Sequence, residues 1–158
     1  MTTDMARDRS GLSRFAAECG LAAAPGLAKD AGWWLAALAA VPVCLVLSGA
    51  SPGVRLEPAV LLSVVLWQPL TEELLFRGVL QGQLRKPQWG RRSWFGISGA
   101  NFAASLVFAA LHLLAHPAGW AAAVLVPSLV FGHFRDRYAS VLPAVLLHAW
   151  YNAGYFLL

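Results

Sequence analysis

Residues 58–81 decide the fold, and they read PAVLLSVVLWQPLTEELLFRGVLQ. This stretch is long enough to cross the hydrocarbon core of a bilayer, which takes about 20 predominantly apolar residues in a helix. It nevertheless contains three charged residues, Glu72, Glu73 and Arg77. Each charge costs about 2.5–3.5 kcal/mol at the centre of a membrane helix, so charges there indicate pairing or function. The stretch therefore predicts a membrane helix that carries a polar site.

The composition of the whole chain is typical of a membrane protein. Of the 158 residues, 58% are hydrophobic and 13% are charged, whereas about 25% are charged in an average soluble domain. The mean hydropathy of +0.59 leaves too few polar side chains to cover a soluble surface. This composition excludes a disordered or fibrous protein and predicts a surface that mostly faces lipid.

Four other apolar segments are also long enough to span a bilayer, for which about 17 residues is the lower limit. The fourth of the five is the weakest, because Pro127 and two glycines interrupt it. We therefore predict an all-α, polytopic membrane helix bundle with about four to five transmembrane helices. The predicted spans are 32–49, 58–81, 95–115, 118–134 and 139–158.

The distribution of Lys and Arg predicts the orientation of this bundle, since cytoplasmic flanks of membrane helices are rich in both. With the N-terminus inside, ten of the twelve basic residues fall in inner segments, and an outer loop holds only Arg55. Residues 1–31 lack the apolar run of a cleaved signal peptide and are predicted to form an N-terminal cytoplasmic arm. Residues 32–158 form a single transmembrane domain. We attribute the net charge of +4 to basic residues that flank the membrane spans and not to nucleic-acid binding, because the sequence has no stripe of aromatic and basic residues that would suit base stacking.

Helical spacing assigns different roles to the charged residues of the second span. Glu73 and Arg77 are four residues apart and share a face, so they are predicted to form a structural pair. Glu72 points about 100° away from Glu73 and is predicted to face a cavity. Pro69 is predicted to kink the helix and free a backbone carbonyl one turn before the carboxylates. A purely structural cluster that holds the helices together remains the alternative for this segment.

Other polar residues lie in the third and fifth spans. His148 and Asn152 share a helix face at a spacing of four residues, and His112 lies at a similar depth, so all three are predicted to meet Glu72 near the middle of the bilayer. The remaining residues of this kind receive plainer interpretations. Phe108 is predicted to pack in the core, and His116 and His133 to lie at the membrane interfaces.

Three motifs occur in order within these spans. Residues 72–77 match EExxxR, residues 108–112 match FxxxH and residues 148–152 match HxxxN. On these motifs the chain resembles the CPBP family of intramembrane proteases, which includes CAAX prenyl endopeptidases and bacteriocin-processing enzymes, over about residues 65–156. The chain is shorter than many relatives and has fewer spans, which leaves open how the substrate cavity is closed and whether a second copy or a partner subunit contributes.

The resemblance implies a protease domain at 32–158 that hydrolyses a peptide bond by a glutamic mechanism without a cofactor. In this mechanism Glu72 activates water, His112 orients the water, and His148 and Asn152 stabilise the oxyanion. Glu73, Arg77 and Phe108 then serve as structural support.

Two alternatives to this mechanism remain. Glu72, His112 and His148 are also a plausible set of three zinc ligands. A non-catalytic scaffold or a small transporter subunit would use the same polar residues as helix contacts or as an ion path.

The expected partners are the lipid bilayer and a membrane-anchored protein or peptide substrate, without nucleic acid. The sequence is rich in Ala and Leu, and its basic residues are mostly Arg, as is typical of a high-GC bacterium. We therefore expect a multi-pass protein of the bacterial inner membrane. Its expected substrate is a bacterial protein that carries a processing site or C-terminal sorting signal, in preference to a CAAX protein.

Overall fold

The computed structural model describes residues 11–49 and 56–157. Three basic residues used to predict the orientation, Arg7, Arg9 and Arg55, lie outside these ranges.

The described part of the chain is almost entirely helical, with residues 11–18 in a helical segment and Leu27–Lys29 in a 3₁₀ turn ahead of the main bundle. A short helix and a two-stranded antiparallel hairpin connect the second long helix to the third. The elements are α1 (Ala31–Gly49), α2 (Pro58–Leu84), α3 (Gln88–Arg91), β1 (Ser93–Trp94), β2 (Ile97–Ser98), α4 (Gly99–His112), α5 (Ala118–Tyr138) and α6 (Leu142–Leu157).

Each predicted span coincides with one of the five long helices, so the nearly all-α fold is confirmed, with one correction. The third span was predicted to begin at residue 95, but residues 93–98 form the hairpin and α4 begins at Gly99. Phe95 and Gly96 adopt the left-handed region, with φ of 50° and 79°, which breaks the helix there. The Ser98 hydroxyl then caps α4 by accepting the backbone N–H of Asn101 at 3.0 Å.

Among the described helices, Pro58–Leu84 is the one that is both long and apolar enough to cross a membrane by itself. Ala31–Val46 and Gly99–His112 are apolar but shorter. The number of membrane crossings therefore stays a prediction.

The interior of the bundle holds buried polar and charged side chains beside an apolar core, and large apolar side chains lie on its exterior. Its largest fully buried side chains include Arg77, Gln81, Glu73 and Asn101. All five long helices expose large apolar side chains, such as Leu35 in α1 and Leu66 in α2. This distribution suits a lipid-facing exterior, because a charged group avoids hydrocarbon by turning inward to a partner.

Aromatic donors join α1 to α6. Trp33 Nε1 donates to the Pro143 carbonyl at 3.2 Å, and Trp150 Nε1 donates to the Ala37 carbonyl at 2.9 Å. Trp33 also packs into the main apolar core with Phe131 and Leu147. These contacts fix α6, which carries two of the candidate site residues.

The segment before α1 packs against the C-terminal parts of α2 and α5. Gly78 and Gly82 of α2 face the backbone carbonyls of Cys19 and Glu18, with no room for a β-carbon at Gly82. Arg135 of α5 donates to the Glu18 carbonyl at 2.5 Å and to the Arg77 carbonyl at 3.0 Å. Arg135 was predicted as a basic residue of an inner connection, but it is buried because these two carbonyls satisfy its guanidinium.

Candidate active site

Helix α2 departs from regular α-helical pitch on both sides of the two glutamates. Residues Ser63–Trp67 and Leu74–Leu80 are π-helical, and Gln68–Glu73 between them is α-helical. In the first π-helical segment the Gln68 N–H donates to the Ser63 carbonyl, and Pro69 has no N–H to offer. The Val64 carbonyl is thus left to accept Asn152 Nδ2 from α6 at 2.8 Å. The sequence predicts a carbonyl freed one turn before the carboxylates, whereas the carbonyl that Asn152 contacts lies eight residues before Glu72.

Glu73 and Arg77 form an ion pair at the centre of the bundle. Glu73 Oε2 lies 3.0 Å from Arg77 Nε, and both side chains are fully buried. The guanidinium also donates to Ser128 Oγ of α5 at 2.7 Å and, more weakly, to Ser105 Oγ of α4 at 3.5 Å. The pair therefore connects three helices, and every charge in it has a partner.

His148 lies between the two glutamates. Its Nδ1 is 2.8 Å from Glu73 Oε1, and its Nε2 is 3.8 Å from Glu72 Oε2. Because a carboxylate can only accept, the proton of the first contact belongs to Nδ1, which leaves Nε2 toward Glu72. The ring stacks on Phe131, with centroids 5.1 Å apart, and meets the edge of Phe108 at 6.2 Å. These contacts hold the imidazole in one orientation.

Glu72 is partly exposed, with 23% of its side chain accessible. Gln68, one turn earlier on α2, donates to Glu72 Oε1 at 2.8 Å. The other oxygen, Oε2, is the one near His148. Glu72 thus has one oxygen held by an amide and one facing the histidine.

His112 is the last residue of α4. Its Nδ1 is 2.9 Å from the Phe108 carbonyl, so that nitrogen donates and Nε2 remains unprotonated in the neutral ring. His116 stacks on His112 with ring centroids 5.9 Å apart, and its ring lies at the same distance from Trp120 in a tilted arrangement. His116, which was predicted to lie at a membrane interface, is four residues beyond the end of α4, and its ring lines one cavity together with His112.

The four predicted catalytic residues, Glu72, His112, His148 and Asn152, line one cavity of about 170 Å³. Glu73 and Arg77 lie behind this wall. The remainder of the cavity is largely aromatic and apolar, and it is lined by Gln68, Phe108, His116, Trp120, Val124, Pro127, Phe131, Tyr151, Tyr155 and Phe156. The arrangement offers a carboxylate, two imidazoles and an amide to one small volume.

Sequence reasoning assigned no role to Gln68 or Phe131. Gln68 is a polar residue one helical turn before Glu72 in an apolar span, and this spacing was a usable signal. Nothing in the sequence distinguishes Phe131 from the other apolar residues of α5, and only the packing of the helices places it against His148.

Within the described ranges, no group of three His, Cys, Asp or Glu side chains is arranged to hold a metal ion. The Nδ1 atoms of His112 and His148 are already engaged by protein oxygens.

Comparison with known proteins gives one family. The family model described as Rce1-like, type II CAAX prenyl endopeptidase Rce1-like, matches residues 54–154, well over half of the chain. No curated protein and no solved structure matches the chain. The matched region contains all seven residues singled out by the three motifs, and the family is one of membrane-embedded proteases. The chain therefore belongs to the Rce1-like family of type II CAAX prenyl endopeptidases.

Proposed function

We propose that this protein is an intramembrane endopeptidase that uses Glu72 to activate water. The observation that carries the proposal is the contact of Glu72 with His148, 3.8 Å apart on the wall of a cavity that His112 and Asn152 also line. A carboxylate, an imidazole and an amide beside one another supply a general base and oxyanion donors for peptide hydrolysis.

In the first step Glu72 removes a proton from a water molecule in the cavity. Gln68 holds Oε1, so Oε2 is the oxygen free to accept this proton. The unprotonated Nε2 of His112 accepts a hydrogen bond from the same water and orients it. The water oxygen then attacks the carbonyl carbon of the scissile peptide bond. A positioned base of this kind contributes about 10²–10⁴ in rate.

The attack places a negative charge on the carbonyl oxygen. Asn152 gives one N–H to the Val64 carbonyl, and its second N–H is assigned to this oxyanion. His148, when Nε2 is protonated, is the second donor. An oxyanion donor contributes about 10²–10³ in rate. Glu72 finally returns its proton to the leaving amine as the carbon–nitrogen bond breaks, so the carboxylate ends the cycle as it began.

Glu73 and Arg77 are positioning residues in this scheme. Glu73 holds the proton of His148 on Nδ1 and thereby directs Nε2 toward the reaction. Arg77 compensates the buried charge of Glu73. Phe108 supports His112 and Arg77, because its ring contacts the imidazole of His112 and lies under the guanidinium of Arg77 at 5.5 Å.

The proposed setting is the inner membrane of a bacterium, with several spans and a cytoplasmic N-terminus. The proposed substrate is a membrane-anchored protein that carries a processing or C-terminal sorting signal. The exposed apolar surface of the helices and the apolar side of the cavity support a substrate delivered from the membrane.

The test is cleavage of membrane-anchored reporter peptides, with and without a prenylated CAAX end, by detergent-purified protein. We expect Glu72→Gln to lower kcat by at least about 10². Glu57→Gln is the matched control, because Glu57 is an exposed glutamate just before the same helix, and it should keep wild-type activity. A zinc chelator should leave the wild type active.

Two results would contradict the mechanism. If the Glu72→Gln variant cleaved at the rate of the wild type, Glu72 would have no part in catalysis. Activity lost on chelation and restored by zinc would replace the metal-free mechanism by a zinc site on the same side chains.

A further inference from the structure

The hairpin between α3 and α4 has an unusual tip. Ser93 pairs with Ser98 and Trp94 pairs with Ile97, so Phe95 and Gly96 form a two-residue turn with positive φ at both positions. Turns of this geometry favour Asn or Asp followed by Gly, because a bulky side chain is strained in the left-handed region. Formation of the turn therefore does not explain a phenylalanine at residue 95.

The two aromatic side chains at this tip have almost no protein around them. Phe95 is fully exposed and Trp94 is 85% exposed, and Trp89 of α3 is half exposed nearby in sequence. Exposed apolar patches of this kind mark surfaces for a lipid or protein partner. A hydrogen bond to α5 holds the turn in place, since the Gly96 carbonyl accepts from His133 Nδ1 at 2.8 Å.

The contact with His133 sets the depth of the tip. His133 precedes Arg137 by four residues in α5, which is about 6 Å along the helix. Arg137 is half exposed near the end of α5, on the side of the bundle predicted to face the cytoplasm. The tip therefore lies about one helical turn from Arg137 toward the middle of α5, which is the membrane side of this arginine in the predicted orientation.

Basic residues adjoin the aromatic tip. Arg91 and Arg92 are exposed directly before β1, and Arg91 is steadied by a hydrogen bond to the Lys86 carbonyl at 3.0 Å. Aromatic side chains at interface depth with arginines on the aqueous side complement an anionic lipid surface.

We propose that the hairpin tip, Trp94 and Phe95, is a membrane anchor that inserts into the inner leaflet and gathers anionic lipid headgroups through Arg91 and Arg92. The inference rests on the membrane-spanning arrangement of the proposed function and not on its catalytic step. An anchor here would fix α4, whose last residue is His112, relative to the bilayer.

The test uses the full chain reconstituted in vesicles of phosphatidylcholine with and without phosphatidylglycerol. A fluorescent label is attached at Phe95→Cys, at Trp94→Cys as a second position, and at Ala23→Cys as an exposed control in the N-terminal segment. Cys19 and Cys44 are buried, and labelled wild type measures their background. Quenching by iodide reports water, and quenching by brominated lipid reports the acyl region.

We expect brominated lipid to quench both tip labels strongly and iodide to quench them far less than the Ala23 label. Brominated phosphatidylglycerol should quench more than brominated phosphatidylcholine, and the variant R91Q/R92Q should lose at least about twofold of this preference, since one arginine near an anionic surface contributes up to about fivefold. These readouts need no protease activity, so they are independent of the proposed mechanism.

Three results would overturn the proposal. Iodide quenching of the tip labels equal to that at Ala23 would place the hairpin in water. Protection from both quenchers would show that the tip is covered by protein. An unchanged preference for phosphatidylglycerol in the R91Q/R92Q variant would show that the two arginines do not bind the anionic lipid.

Discussion

Glu73 is the residue on which the geometry of the site most depends, although it is fully buried behind the cavity wall. It neutralises Arg77 and holds His148 at the same time. We predict that Glu73→Gln lowers the free energy of unfolding by about 3–5 kcal/mol, because Arg77 becomes an unpaired buried charge. Cleavage should be lost as well. Chemical unfolding in detergent and the cleavage assay measure the two effects.

A double variant separates stability from positioning. Glu73→Gln with Arg77→Met removes both charges, so it should recover part of the stability of the single variant. It should not recover activity, because His148 still lacks its carboxylate partner. Recovery of full activity in the double variant would show that Glu73 acts only as a partner of Arg77.

Asn152 offers a second test at the level of one side chain. We predict that Asn152→Ala lowers kcat by about 10²–10³ and changes KM little, because the amide donates to charge that develops in the transition state. Thermal unfolding checks that the variant remains folded without its bond to Val64. A folded Asn152→Ala protein with wild-type kcat would exclude Asn152 as an oxyanion donor.

At the scale of elements, the contact between α2 and the N-terminal segment depends on glycine. A β-carbon at Gly82 would overlap the Glu18 carbonyl, which is backbone and cannot rotate away. We predict that Gly82→Ala lowers the Tm and makes residues 11–20 more sensitive to proteolysis. Gly119→Ala is the matched control in α5, where nothing approaches the new methyl group, and its Tm should stay the same or rise slightly. Equal behaviour of the two variants would contradict the tight contact.

Asp30 links the start of α1 to the end of α5 and makes this junction pH-dependent. Its Oδ2 accepts from Tyr138 at 2.6 Å and lies 3.0 Å from Arg137, and its Oδ1 accepts the N–H of Gly32 at 2.8 Å. The Tyr138 hydroxyl, with the backbone N–H groups and Arg137, holds the pKa of Asp30 below its ordinary 3.8. This stabilisation is complete above the ordinary pKa and is lost as the pH falls through the lowered value.

We predict that the Tm of Asp30→Asn is lower than that of the wild type at neutral pH, because a neutral amide replaces the carboxylate that pairs with Arg137 and accepts the charge-assisted hydrogen bond of Tyr138. The difference should shrink as the pH falls below 3.8, the ordinary pKa of this carboxyl group. Scans of Tm against pH for the two proteins measure this convergence. A constant difference across the whole range would contradict a charged Asp30 at the junction.

At the scale of the whole molecule, the five predicted crossings would place the two ends of α2 on opposite sides of the membrane. We predict that single cysteines at Ala23 and Gln88 react with an impermeant reagent only from the cytoplasmic side. A cysteine at Glu57 should react only from the outside. Labelling of Gln88 and Glu57 from the same side would show that α2 does not cross.

The sequence was most informative where local composition or spacing decides the structure. Apolar length predicted all five long helices, and fixed spacing predicted that Glu73 faces Arg77. The hairpin was missed because it depends on the backbone conformation of two residues, Phe95 and Gly96, inside an otherwise apolar run. The burial of Arg135 was missed because its partners are carbonyls of distant segments, which no local pattern reveals.

The first π-helical segment of α2 determines where the length of this helix can change. A π-helical segment contains one residue more than the α-helix that could replace it. A one-residue deletion within Ser63–Trp67 would therefore give a regular α-helix and keep the orientation of Glu72 close to the present one. A one-residue deletion between Gln68 and Glu72, where the helix is already a regular α-helix, would instead turn Glu72 by about 100° relative to Val64, to which Asn152 is bound. The proposed catalytic carboxylate would then face away from the cavity, so an alignment gap between Gln68 and Glu72 in a relative would signal a pseudo-enzyme.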